Sequence, residues 1–294
     1  MDELIHQTDP AAGPSLLRRI IAFPLTLLVI EFIAIVAVGS GYTEAAHRAL
    51  TRNDDAGYFL GAVGLAGLLV LVWKALQRWL ECRDDREFAL TGAGKELGLG
   101  LLFGFALFSA MTGIVALLGG FEVLGLRGQG QLWAMLAMAV TSGVIEEILF
   151  RGILLRHLEK LIGTVGALAI TSALFGLGHI VNPGATWFSS FAIALEAGIL
   201  LGAAYLYTRR LWLAVGIHAA WNFTQGWVFS VPVSGHGAPL GLLITRRVGS
   251  DWLTGGDFGL EASVIALIVA TAAGIVLLIL AHRRGHFIAP MWRR

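Results

Sequence analysis

The sequence predicts an all-α, polytopic membrane protein with about eight transmembrane helices. Three observations carry that expectation. Hydrophobic residues make up 56% of the 294-residue chain and glycine adds 38 positions, so the two together reach about 69%, where soluble domains hold about 45–50%. Charged residues are 14% against about 25% in soluble proteins, and mean hydropathy is +0.76. Finally, eight segments are long and apolar enough to cross a ~30 Å hydrocarbon core as helices of about 20 residues. A water-facing surface cannot be assembled from this inventory, and long disorder is excluded by the same count. A net charge of +1 gives no basic face for nucleic acid, and a lone Cys82 forms no intrachain disulfide.

In chain order, Met1–Pro14 is polar and expected to be loose. Arg18 and Arg19 then precede more than 20 apolar residues, longer than the 7–15 of a cleavable signal core, so 20–41 reads as a retained first helix. The others are placed at 57–76, 97–119, 132–150, 162–181, 187–208, 211–230 and 261–281, the fourth running on as an amphipathic helix toward Lys160. Gly61, Gly64 and Gly67, and Gly98, Gly100 and Gly104, recur inside spans, where small residues let membrane helices approach closely. No repeat and no long linker divides the chain. It reads as one membrane domain in three stretches: 1–90 (tail, two helices and a cytoplasmic loop), 91–230 (core), and 231–294 (outer loop, last helix and basic tail).

With the N-terminus inside, sixteen of the 21 Lys and Arg residues fall on inner segments. The outer segments hold Arg48, Arg52, Arg127, Arg246 and Arg247. Cytoplasmic loops carry the positive excess, so both termini are expected in the cytoplasm.

Ionisable residues inside spans are costly, about 2.5–3.5 kcal/mol each on insertion scales, and need a partner, water or a chemical task. The fourth span carries Glu146, Glu147 and Arg151; the fifth carries Phe175 and His179; the seventh carries His218 and Asn222. Glu147 and Arg151 are four apart, acid first, the favourable order for a helical ion pair. Glu146 is rotated by about 100° and has no such cation, so it is free to face something else. His218 and Asn222 aim in one direction. Taken singly, each feature is more simply a helix-to-helix hydrogen bond or a salt bridge. Glu31 and Glu196, without partners at helical spacing, read as structural or water-lining. His6, His47, His157, His236, His282 and His286 read as loop, tail or interface residues. Carboxylates, two imidazoles and an amide on three separate spans are what lift the set above the simple reading.

The series Glu146-Glu147-x-x-x-Arg151, Phe175-x-x-x-His179 and His218-x-x-x-Asn222 resembles, in order and over roughly 95–225, the motifs of the CPBP intramembrane endopeptidases. This is the CAAX-processing and bacteriocin-processing (Abi, Rce1-type) family. Lys95-Glu96 and Thr208-Arg209-Arg210-Leu211-Trp212 look similar too. The resemblance implies an intramembrane active-site cavity in the 91–230 core and hydrolysis of a membrane-associated or prenylated, CAAX-like peptide. It implies that Glu146 and His179 activate water and that His218 and Asn222 donate to the oxyanion. Glu147, Arg151 and Phe175 would support them. Peptide hydrolysis needs these parts: a base, an acid for the leaving amine, and oxyanion donors.

Glu146, His179 and His218 equally match a two-His, one-carboxylate zinc set. No His-Glu-x-x-His helix is present, and Glu147, the base such a site would need, is already matched to Arg151. The metal-free mechanism therefore leads, with Zn2+ as its alternative. A proton-coupled transporter also uses intramembrane carboxylates, but the polar groups cluster between 146 and 222 instead of repeating in two halves. A non-catalytic scaffold or immunity protein is a third reading. Partners are membrane lipid and a membrane peptide, in the plasma membrane. One tension remains: at 1.5 Å per residue, His179 lies about 24 Å along its helix from Gly163, and His218 only about 12 Å from Arg210.

Overall fold

The computed structural model describes residues 15–49 and 55–294. The expected loose tail and His6 lie outside the described residues, as does Arg52, and so do the side chains of His47 and Arg48. Among the described residues the order is α1 (Leu16–Ile21), α2 (Pro24–Ala49), α3 (Asp55–Ala75), α4 (Ala93–Leu117), β1 (Phe121–Leu126) and α5 (Leu132–Thr141). There follow α6 (Arg156–Gly178), α7 (Trp187–Ile193), α8 (Ile199–Thr208), α9 (Trp212–Phe223), β2 (Leu243–Arg247), α10 (Asp251–Thr254) and α11 (Val264–Arg283). The all-α expectation holds apart from one antiparallel pair, β1 with β2, which ties the segment after α4 to the segment after α9.

Among the described residues six helical runs are long and apolar enough to span a membrane. Large apolar side chains such as Leu60, Leu71, Leu102, Val165 and Ile268 stay exposed on them, as lipid-facing helices require. The chain is an integral membrane protein. The expected count of eight resolves differently at two places. The fourth and fifth expected spans lie in one run, Leu132–Gly178, broken at Gly163, whose φ of 76° and ψ of 168° leave the helix; only glycine enters that region without strain. The helix therefore continues past Lys160, as anticipated. The seventh, Trp212–Val228, is helical but short of a full crossing, because it is packed inside the protein and not against lipid.

Among the described residues five π-helical turns interrupt or extend the α-helices: Leu76–Leu80, Ser142–Glu146, Ile148–Leu155, Ala194–Gly198 and Thr224–Val228. Each displaces carbonyls from their regular partners, a feature that gathers at functional sites. Close helix approach positions the centre. A Cβ on Gly100 would come 2.5 Å from the Leu213 carbonyl, and one on Gly216 would come 2.5 Å from the Leu97 carbonyl. Only bare backbone lets α4 and α9 cross so tightly, which fixes α9 and hence His218.

The polar end carrying the basic loops is held by ion pairs. Glu31 is fully buried, contrary to its unpartnered appearance in the sequence. Its Oε2 accepts from Arg156 Nη2 at 2.9 Å and lies 3.0 Å from His157 Nε2. His157 is completely buried and not a loop or interface residue as expected; α2 packs over α6 and covers it. Arg156 also pairs with Glu81 at 2.6 Å. His282 and His286 do sit at the basic end, where His286 Nδ1 donates to the Leu206 carbonyl at 2.8 Å.

In the loop after α3, Asp85 accepts from Trp73 Nε1 at 3.0 Å, Lys74 Nζ at 2.9 Å and the Phe88 amide at 3.0 Å. Burial opposes its charge, but those donors outweigh burial and hold the carboxyl below the usual range. A depressed carboxylate stabilises the fold above its unfolded pKa and loses that contribution as pH falls through the folded value. Asp85→Asn is thus expected to cost about 1–3 kcal/mol at pH 7, with the gap from wild type closing below about pH 4. Thermal unfolding of the detergent-solubilised pair from pH 7 to pH 3 measures it; a gap independent of pH contradicts it.

Candidate active site

The site is built where α5 passes into its first π turn beside α9. Gly143 permits the contact, since a Cβ there would lie 3.1 Å from both the Ala219 Cβ and the Val215 carbonyl. Glu147 follows on the buried side and is fully enclosed. Its Oε1 accepts from Arg151 Nη1 at 2.8 Å and from His218 Nδ1 at 2.8 Å. The expected Glu147–Arg151 pair is therefore present, but it is not merely a helix support: the same oxygen fixes the catalytic imidazole candidate. Arg151 Nη2 also donates to the carbonyls of Ala197 at 2.9 Å and Gly198 at 3.3 Å, both in the π turn Ala194–Gly198. Its guanidinium lies 4.7 Å over the Phe175 ring.

Glu146 points the other way, with its side chain one-third exposed and its Oε2 3.9 Å from His218 Nε2. One bridging water spans such a gap. His179 caps α6 and turns its ring back, donating from Nδ1 to the Phe175 carbonyl at 2.7 Å; its Nε2 is the nitrogen left for chemistry. Asn222 Nδ2 donates to Ser142 Oγ at 2.9 Å, and Ser142 in turn donates to the Met138 carbonyl at 2.8 Å.

These side chains line two abutting spaces and not the single cavity expected. A cleft of about 340 Å3 is walled by Ser142, Glu146, Phe175, His179, Asn222 and the loop residue His236, among others. Behind it a much tighter chamber of about 30 Å3 is walled by Phe175, His179, His218 and Asn222 together with Glu196 and Glu261. Phe175 touches both imidazoles: its ring is 4.9 Å from that of His179 and 6.2 Å from that of His218.

Residues 128–224 match the Rce1-like family model. Its description is type II CAAX prenyl endopeptidase Rce1-like. That Rce1-like segment holds every motif residue above and bears out the resemblance to the CAAX-processing family; it supports an intramembrane protease in general terms. No curated protein and no solved structure matches the chain.

Lys95-Glu96 and the 208–212 stretch also meet. Glu96 Oε1 accepts from Arg210 Nη1 at 3.1 Å, so these positions brace the start of α4, which precedes the Rce1-like segment, against the start of α9 inside it. Sequence reasoning missed Ser142, Asn182, Ser234, His236 and Glu261 at the site. Ser142 lies four residues before Glu146 and was visible on that spacing. The others come from loops and a short 310 turn, where no periodicity marks which residue turns inward.

The zinc arrangement was tested on donor chemistry and spacing. His179 and His218 each commit Nδ1 to an oxygen acceptor, the pattern that leaves Nε2 for a metal. Yet among the described residues only Glu31, Glu81 and His157 bring three such ligand atoms within 4.8 Å of one another, and the Arg156 guanidinium already binds both of those carboxylates. Glu146, His179 and His218 are not brought within that mutual distance.

Proposed function

We propose that the chain is an intramembrane endopeptidase of the CAAX-processing type, cutting a membrane-associated peptide in the cleft around Glu146. The observation that carries this reading is the split of the acid pair. Glu147 is spent on Arg151 and His218, whereas Glu146 is one-third exposed on the cleft and a single water away from an imidazole.

In the mechanism that follows, Glu146 removes a proton from water, and the water oxygen bonds to the scissile carbonyl carbon. His179, held by the Phe175 carbonyl, orients that water through Nε2. Negative charge collects on the former carbonyl oxygen, where the second Asn222 N–H donates, the first being held by Ser142. His218 donates there through Nε2 in its imidazolium form, because its Nδ1 proton is committed to Glu147. The proton on Glu146 passes to the leaving amine as the C–N bond breaks. Preorganised donors of this kind are each worth about 2.7–4 kcal/mol.

Both termini facing the cytoplasm across the plasma membrane accord with the distribution of Lys and Arg. The test is turnover of membrane peptides by the protein in liposomes, with products identified by mass. His179→Ala is expected to slow turnover by about two to four orders of magnitude, with no zinc bound at stoichiometry in the purified wild type. Unchanged turnover discards the mechanism; one equivalent of zinc that is lost in Glu146→Ala favours the metal alternative.

A further inference from the structure

Most of the cleft wall belongs to the Rce1-like segment, but Val233, Ser234 and His236 reach it from beyond that segment's end at residue 224. There, in the loop after α9, the chain reverses on itself. The His236 amide donates to the Val233 carbonyl at 3.0 Å, and the two residues form an antiparallel bridge. Between them Ser234 and Gly235 have φ of 49° and 80°. Positive φ at both central positions is the mark of a type I′ turn, which glycine enters freely and serine only at a cost.

The turn is pinned from three sides. Asn182, three residues beyond His179, donates from Nδ2 to the Ser234 carbonyl at 2.9 Å. The Gly235 amide donates to the Phe258 carbonyl at 2.8 Å, and Glu261 accepts from the Ser234 amide. A Cβ on Gly235 would collide with the Pro183 carbonyl, so the turn lies directly against the loop that follows His179. A strained turn held this firmly puts Ser234 and His236 on the wall of the space that Glu146 and His179 also line.

Of the polar side chains there, His236 has an acceptor to spare. Its Nδ1 donates to the Val233 carbonyl at 3.1 Å, so in the neutral ring Nε2 carries the lone pair, and among the described residues no protein group bonds to it. The others have tasks: Glu146 and His179 serve the water, Asn222 the oxyanion, Ser142 holds Asn222 and Asn182 holds the turn. At about 340 Å3 the cleft falls in the size range of ligand sites. A peptide lying in it brings backbone N–H groups out of water, and each left unpaired there is costly.

We infer that His236 is a substrate-binding residue whose Nε2 accepts from a backbone N–H of the peptide next to the scissile bond, with Asn182 as the positioning residue that holds its turn. This deepens the protease reading and rests on it for the peptide nature of the ligand.

The experiment uses a fluorescent, S-farnesylated peptide ending in a C-a-a-X pattern, and a set in which each backbone amide in turn is replaced by an ester, removing one N–H while keeping the shape. Binding to full-length Glu146→Gln in nanodiscs is read by anisotropy, with and without His236→Phe. At one position the ester is expected to bind on the order of tenfold more weakly than the amide, a difference that vanishes with His236→Phe and partly returns with His236→Gln, which restores an acceptor. With Glu146 intact, His236→Phe and Asn182→Ala are expected to raise KM by a similar factor, as loss of an interaction common to ground and transition states does. His236 is exposed, so its variants should unfold at the wild-type midpoint. Absence of any sensitive amide in the Glu146→Gln protein overturns the proposal whether or not the other variants fold, and so does an ester penalty that survives His236→Phe. Turnover measured in parallel separates the two readings. Cleavage that depends on Glu146 without an amide paired to His236 removes this contact alone, and binding that depends on His236 without cleavage removes the protease alone.

Discussion

Glu146→Gln is expected to lower the turnover of a membrane peptide by about two to four orders of magnitude, the range set by loss of a positioned general base, while leaving the fold intact. The two halves of that expectation have separate origins. Glutamine keeps the shape and hydrogen-bonding reach of the side chain but cannot take the proton from water. Stability should hold because the Glu146 side chain is one-third exposed and has no ion pair shorter than the 3.9 Å approach to His218. Initial rates in liposomes, beside thermal unfolding of the same preparation, measure both. A variant that unfolds readily would mean that Glu146 is structural, and a variant with wild-type turnover would remove it from the chemistry.

Arg151→Leu is expected to cost about 3–5 kcal/mol of stability, the penalty for leaving a buried carboxylate without its partner. Arg151 is 3% exposed and Glu147 fully buried, so no solvent replaces the lost interaction, and the Ala197 and Gly198 carbonyls lose their donor as well. Replacing both partners, Glu147→Leu with Arg151→Leu, should recover much of that loss, because two apolar groups in place of an ion pair are often neutral. It should not recover turnover. Without Glu147 the Nδ1 proton of His218 has no acceptor, and the ring loses its orientation. Denaturation midpoints and rates for the two single variants and the double variant decide the point. Recovery of both stability and turnover in the double variant would show that Glu147 only balances Arg151.

Taken together, these variants separate two roles that lie side by side in the chain. Glu146 and Glu147 are one residue apart and chemically identical, yet one faces a cleft and the other is sealed against α9. Helical rotation of about 100° between neighbours makes the split legible before any coordinates. The identity of the second partner of Glu147 was not legible, because His218 is 71 residues away and reaches it only where Gly143 lets the helices touch.

The same contrast runs through the rest of the molecule. Composition and apolar run length determined that the chain lies in a membrane, roughly where its helices fall, and which few polar residues had to be explained, since each of these is a local property of the sequence. Motif order determined the family resemblance. Tertiary structure decided which of those residues are neighbours. It buried Glu31 and His157 together against Arg156, set Phe175 against both imidazoles, and divided the expected single cavity into a cleft and a chamber. It also brought Glu261, from the turn before α11, to the wall of the same chamber as Glu196. The physical reason is that hydropathy and helical spacing act over a few turns. A pairing between side chains on different helices depends on how closely the backbones approach, where π turns shift the register, and which way a loop folds back.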